Sequence, residues 1–146
     1  MRTRAERSFT ILLNAPASVA MAAFGPLEER RWAPDWNPRF LFPTPAREEQ
    51  GAVFVVERER KQTWLLQTWN PHDGIARYVA FDPDVKLTEI VIQVEPIDAR
   101  SSRAVVAYTR TSLGQAGDRE VAAFADSFAG EASHWQSAIN AYLATR

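Results

Sequence analysis

The chain has 146 residues, 46% of them hydrophobic and 24% charged, with a formal net charge of −1. That length and mixture suit one globular domain with a sizeable core and exclude a disordered chain. The balance of 17 basic against 18 acidic residues gives no electrostatic footprint for nucleic acid, and the absence of cysteine excludes disulfides, thiol catalysis and zinc–thiolate sites.

Residues 1–7 are charged and lack the apolar core of a signal peptide. No stretch reaches the roughly 18 apolar residues of a membrane span. A soluble, cytoplasmic protein is therefore expected, with one domain over residues 1–146. Residues 8–13 read as a strand, because Phe9, Ile11 and Leu13 alternate with Ser8, Thr10 and Leu12. Asn14 and Pro16 open a helix over 16–24, which Gly25 stops, and Pro26 starts a second short helix ending near Trp32. Pro34, Pro38, Pro43 and Pro45 then forbid a regular helix or central strand, although 39–42 can form a short edge strand.

From Ala52 onward the pattern is β. Residues 52–60, 62–70, 74–82, 86–95 and 103–111 are rich in Val, Ile, Thr and aromatics. Short turn-forming breaks join them, so neighbouring strands are expected to be antiparallel. The last element is a helix over about 118–143. Val121, Ala125, Phe128, Ala132, Trp135, Ile139 and Tyr142 form its apolar stripe, with Arg119, Asp126, Glu131, His134 and Asn140 on the other side. Gly130 falls on that polar side without an evident reason. Strands segregated from helices predict an α+β fold.

This order resembles the SRPBCC superfamily, which includes START, Bet v 1 and polyketide-cyclase-like proteins. The residues carrying the resemblance are Asn14-Ala15-Pro16-Ala17, the run from Glu29 to Pro38 with Trp32 and Trp36, Trp69-Asn70-Pro71 with Gly74, and His134-Trp135 with Ile139-Asn140. The resemblance spans essentially the whole chain and is closest to small bacterial members. It implies a helix-grip fold: a curved antiparallel sheet wrapped around a long C-terminal helix, with two short helices after the first strand. It also implies an apolar cavity between sheet and helix.

The residues expected to line that cavity are Trp36, Trp64, Leu66, Tyr78, Ile92, Tyr108, Phe128, Ala132 and Trp135. Trp32 and Trp36 have a second role open to them, packing the proline-rich segment onto the domain. Tyr78 and Tyr108 need hydrogen-bond partners if they point inward. Glu28, Glu29, Arg30 and Arg31 read as a solvated helix face. Both histidines, His72 in a turn and His134 on the polar helix side, read as surface residues. With no HExxH-like spacing, neither a metal nor another cofactor is expected. No serine sits in a nucleophile elbow, and Gly114-Gln115-Ala116-Gly117 lacks the lysine of a phosphate loop. Ser112 and Gln115 could form a capping box.

No catalytic residue is assigned. The leading functional reading is the binding of a hydrophobic or amphipathic small molecule. A cyclase or dehydratase working in the same cavity and a protein-interaction module are the alternatives. The sequence selects neither the ligand nor an oligomeric state.

Overall fold

The computed structural model describes residues 2–146. Seven strands form one antiparallel sheet: β1 Arg4–Leu13, β2 Arg39–Phe42, β3 Val53–Glu57, β4 Lys61–Asn70, β5 Ile75–Asp82, β6 Lys86–Pro96 and β7 Ser102–Ser112. The order across the sheet is β1-β7-β6-β5-β4-β3-β2, so consecutive strands pair except where β1 and β2 take opposite edges. The connection between those edges must cross the sheet. It carries α1 Ala17–Ala20 and two 3₁₀ turns, Met21–Phe24 and Glu28–Arg31. Register shifts in β4 after Leu66 and in β2 after Phe40 mark bulges, which bend the strands that contain them.

The chain closes with a helix, α2 Gln115–Ser127, which passes through a 3₁₀ turn at Phe128–Gly130 into α3 Glu131–Leu143. It begins three residues before the expected Asp118. It is also interrupted where one uniform helix was expected. Gly130, unexplained in the sequence, lies in that interruption, and the Ser133 hydroxyl donates to its carbonyl at 3.3 Å. No capping box forms: the Ser112 hydroxyl instead donates to the Gly114 carbonyl. The β1 strand starts at Arg4, earlier than residue 8, because its whole length pairs with β7 from Arg4↔Thr111 to Leu13↔Ser102. Met1 lies outside the described residues.

The core sits on the concave face. Ile11, Leu13, Phe24, Phe54, Leu66, Ile92, Val106 and Ile139 are all essentially inaccessible. Alternate residues of each strand supply it, as a half-buried antiparallel sheet requires. Among the described residues, no helix is long and apolar enough to cross a membrane.

Candidate functional site

Antiparallel register sets inward residues in rows across the sheet. One row runs Phe40, Phe54, Trp64, Ala80, Thr88, Arg110. The next runs Leu66, Tyr78, Ile90, Tyr108. Phe40, Phe54 and Trp64 stack along the first row, with centroids 5.3 and 5.9 Å apart. Beneath the crossing segment and the C-terminal helix, Trp64 and Arg110 of the first row and Tyr78, Ile90 and Tyr108 of the second border a cavity of about 750 Å³. Glu29, Trp32 and Trp36 of the crossing segment roof it. Trp64, Tyr78, Ile92, Tyr108 and Arg110 form its floor, and Phe124, Phe128, Glu131, His134 and Trp135 form its helical wall.

Of the residues singled out in the sequence, Trp36, Trp64, Tyr78, Ile92, Tyr108, Phe128 and Trp135 are thus brought together around one hollow. Leu66 and Ala132 are not. Leu66 is fully buried in the core, and Ala132 packs against the same core. The physical reason for Ala132 is the seat of the helix, whose sheet contacts are chiefly with β1 and β7. Part of the apolar stripe makes that contact, while Phe128 and Trp135 of the stripe and the flank carrying Ala123, Ser127, Glu131, His134 and Ala138 border the hollow. His134 is exposed as expected, but at the cavity rim. Trp135 is half-buried, because its ring meets Phe9, Trp32 and Tyr108 within 5.3 to 6.4 Å and also borders open space.

The tryptophans of the crossing segment combine both roles considered for them. The Trp32 indole N–H donates to the Ala23 carbonyl at 2.7 Å and that of Trp36 to the Pro26 carbonyl at 2.8 Å, while both rings line the cavity. Tyr78 donates to the Phe24 carbonyl at 2.5 Å, so its hydroxyl is committed to holding the segment down. Tyr108 has no protein hydrogen-bond partner among the described residues. It lies against Phe124, Phe128 and Trp135, and burial pushes its phenol pKa well up.

Glu29 corrects the expectation of a solvated Glu-Glu-Arg-Arg face. The turn Glu28–Arg31 is pinned from two sides. The Glu48 carboxylate accepts the N–H groups of Leu27 and Glu28, both at 3.2 Å, in a space where a Cβ at Gly25 would stand 2.6 Å from that carboxylate and displace it. The Tyr142 hydroxyl holds Glu28 from the helix. With the Glu28 carboxylate held on Tyr142 of the helix, its neighbour Glu29 faces the cavity. Burial raises the Glu29 pKa from 4.5 to about 8, with Arg58 opposing and Glu48 reinforcing the rise. In the unfolded chain this carboxyl ionises near its ordinary value, so stability falls as pH climbs from about 4.5 to about 8 and stays reduced above. Glu29→Gln is therefore expected to match the wild type at acid pH. In alkaline urea melts it should exceed it by about 2 kcal/mol, a value reduced for solvent screening in an open cavity. A gain of equal size at both ends of the pH range would contradict this.

The sequence matches no protein-family model and no curated protein. Solved structures do match. Norcoclaurine synthase from Thalictrum flavum, in complex with dopamine and hydroxybenzaldehyde, aligns with a TM-score of 0.70 at 8% identity, covering 99% of this chain and 89% of that one. Ara h 8.0201 aligns at 0.71 and 14% identity over 99% and 100%. The Zhui aromatase/cyclase from Streptomyces sp. R1128 aligns at 0.69 and 16% identity over 99% and 96%. This is the helix-grip fold. Its expected parts are all present: a bent antiparallel sheet, short helical turns after the first strand, and a C-terminal helix across the concave side.

Within this helix grip two charged groups beside the cavity stand in contrast. At one end, Lys86 lies 2.9 Å from Glu120 and 3.4 Å from Asp82, and Arg60 reaches Asp82 at 2.7 Å and Glu120 at 2.9 Å. Asp82 is buried, and although burial opposes ionisation, Arg60, Lys86 and Gln62 together hold its pKa below the ordinary value. Two cations and two anions compensate each other there. Arg110 is different. Its guanidinium stacks 4.0 Å above the Phe124 ring and 5.5 Å from Tyr108, it makes no ion pair among the described residues, and its buried Nε has no hydrogen-bond partner. Its position was legible: Ala104, Val106, Tyr108 and Arg110 alternate on one face, so an inward Tyr108 implies an inward Arg110.

Proposed function

We propose that this protein binds an amphipathic small molecule in the cavity between sheet and C-terminal helix. The observation that carries this reading is the cavity's composition: aromatic walls enclosing a hollow of about 750 Å³, with a few inward polar groups. Ligand sites in proteins have this make-up, and a volume of this order holds a drug-sized molecule. The small-molecule complex of norcoclaurine synthase, a protein of the same fold, supports the reading by analogy.

Native mass spectrometry of gently purified protein tests it through a co-purifying compound, and an environment-sensitive apolar dye tests it directly. Ala138 borders the cavity and Ala132 does not. Ala138→Phe is expected to fill the hollow and lower dye uptake with little change in stability. Ala132→Phe is expected to overpack the core by about 1–3 kcal/mol and leave uptake intact. Unchanged uptake in Ala138→Phe would count against the cavity as the binding site.

A second reading, catalysis of the cyclase or dehydratase type, is favoured by Glu29. A carboxyl titrating near pH 8 inside a ligand cavity can donate or accept a proton at neutral pH. Conversion of a bound compound with a pH profile that Glu29→Gln abolishes would promote this reading over simple binding.

A further inference from the structure

We infer that the ligand is an organic acid whose single carboxylate pairs with Arg110; this rests on the cavity being the binding site. A cation taken out of water needs an anion or a full set of acceptors. Arg110 has neither among the described residues, since it is held by the faces of Phe124 and Tyr108 and its Nε is buried without a partner. Aromatic faces attract a cation but accept none of its hydrogen bonds in the plane of the guanidinium. A carboxylate is the group whose two oxygens match that planar fork.

The surrounding charges select one negative charge. Lys86 is already paired with Asp82 and Glu120. Glu131, which faces the cavity from the start of α3, and Glu120 both act on Arg110 electrostatically, and neither bonds it. Arg58, the other cation of the lining without an ion pair among the described residues, is exposed at the rim over the Trp36 ring. A dianionic head such as a phosphate would therefore meet these carboxylates with only one inward cation to balance it, whereas a monoanion is matched one to one. Ile90, Tyr78 and Trp64 line the same cavity, so an acid seated on the guanidinium would extend its apolar body across Ile90 toward an aromatic wall.

The test compares 1-pyrenebutyric acid with 1-pyrenebutanol, which share an apolar body and differ in the head group, by fluorescence titration of the intact chain. A purely apolar hollow prefers the alcohol, because burying an unpaired carboxylate is costly. The wild type is expected to bind the acid at least about tenfold more tightly, the scale of a charged hydrogen-bonded pair. Arg110→Met is expected to bring the ratio to about one or reverse it, and Arg110→Lys to leave it intermediate. Retention of the wild-type preference at about 0.5 M salt would support a buried pair over an exposed one. Equal binding of both probes by the wild type overturns the acid inference and leaves the cavity reading standing. Binding of neither overturns both. Collapse of the ratio in Arg58→Met but not in Arg110→Met also overturns the inference, moving the anion to the exposed rim. Should Arg110→Met fail to fold, the wild-type ratio and the Arg110→Lys value decide the question.

Discussion

Phe54→Ala is expected to lower the unfolding free energy by about 3–5 kcal/mol, with the urea midpoint falling and the slope unchanged. Phe54 is 0% exposed. Its ring lies between those of Trp36, Phe40, Trp64 and Tyr78, at centroid distances of 5.8, 5.3, 5.9 and 6.4 Å. Truncation removes the apolar transfer term and several aromatic contacts, each worth about 0.5–1.5 kcal/mol. Relaxation cannot recover much, because Trp36 is tied to the Pro26 carbonyl and Tyr78 to that of Phe24. The same substitution unseats the Trp36 and Trp64 rings, so dye uptake should weaken in protein that still folds. A loss below about 1 kcal/mol would show that the aromatic wall is not packed as described.

Gly117→Ala tests how the long helix is anchored, and two physical effects give it opposite signs. Helix propensity alone predicts a gain of about 1 kcal/mol for replacing an interior helical glycine. Contact geometry predicts a loss. A Cβ at position 117 would stand 1.7 Å from the Val85 carbonyl oxygen and 2.7 Å from the Ser112 hydroxyl. The carbonyl cannot easily yield, since it accepts the Leu113 N–H at 2.8 Å in the turn before the helix. The first helical turn would have to lift off the β5–β6 connection. Steric overlap of that size outweighs propensity, and a net loss of about 2–3 kcal/mol is expected. Gly130 is the contrast, because nothing lies within 4 Å of a Cβ placed there. Gly130→Ala is expected to be neutral or stabilising by up to about 1 kcal/mol. Denaturant melts of the two variants should therefore move in different directions. A stabilised Gly117→Ala would mean the helix is seated farther from the sheet.

Much of the strand pattern was legible because the relevant physics is local. Alternation in residues 8–13 reflects a sheet with one buried face, and the same two-residue period put Ala104, Val106 and Tyr108 on that face. Turn chemistry at Asn70–Gly74 and Asp82–Asp84 separated β4, β5 and β6 almost where they divide. The helix stripe identified the residues that dock, since Val121 and Ile139 are fully buried.

Which flank of that helix borders the hollow was a different matter. Periodicity reports the face that is most apolar, and on this helix that face is divided: Phe128 and Trp135 border the cavity, while Val121, Ala132 and Ile139 lie on the side that seats against the core. Ala132 was misplaced for that reason, and Glu131 and His134 were read only as polar surface. Glu29 escaped for a related reason. In the run Glu28-Glu29-Arg30-Arg31 every residue looks alike to a hydropathy pattern. The distinction arises from Glu48, Tyr142 and Gly25, which are remote in sequence and rotate one carboxyl inward. Local spacing by itself determined the elements, their alternation and the docking stripe. The tertiary structure decided the charge and contents of the cavity, because burial and pairing of Glu29, Lys86 and Arg110 depend on which distant chain segments meet them.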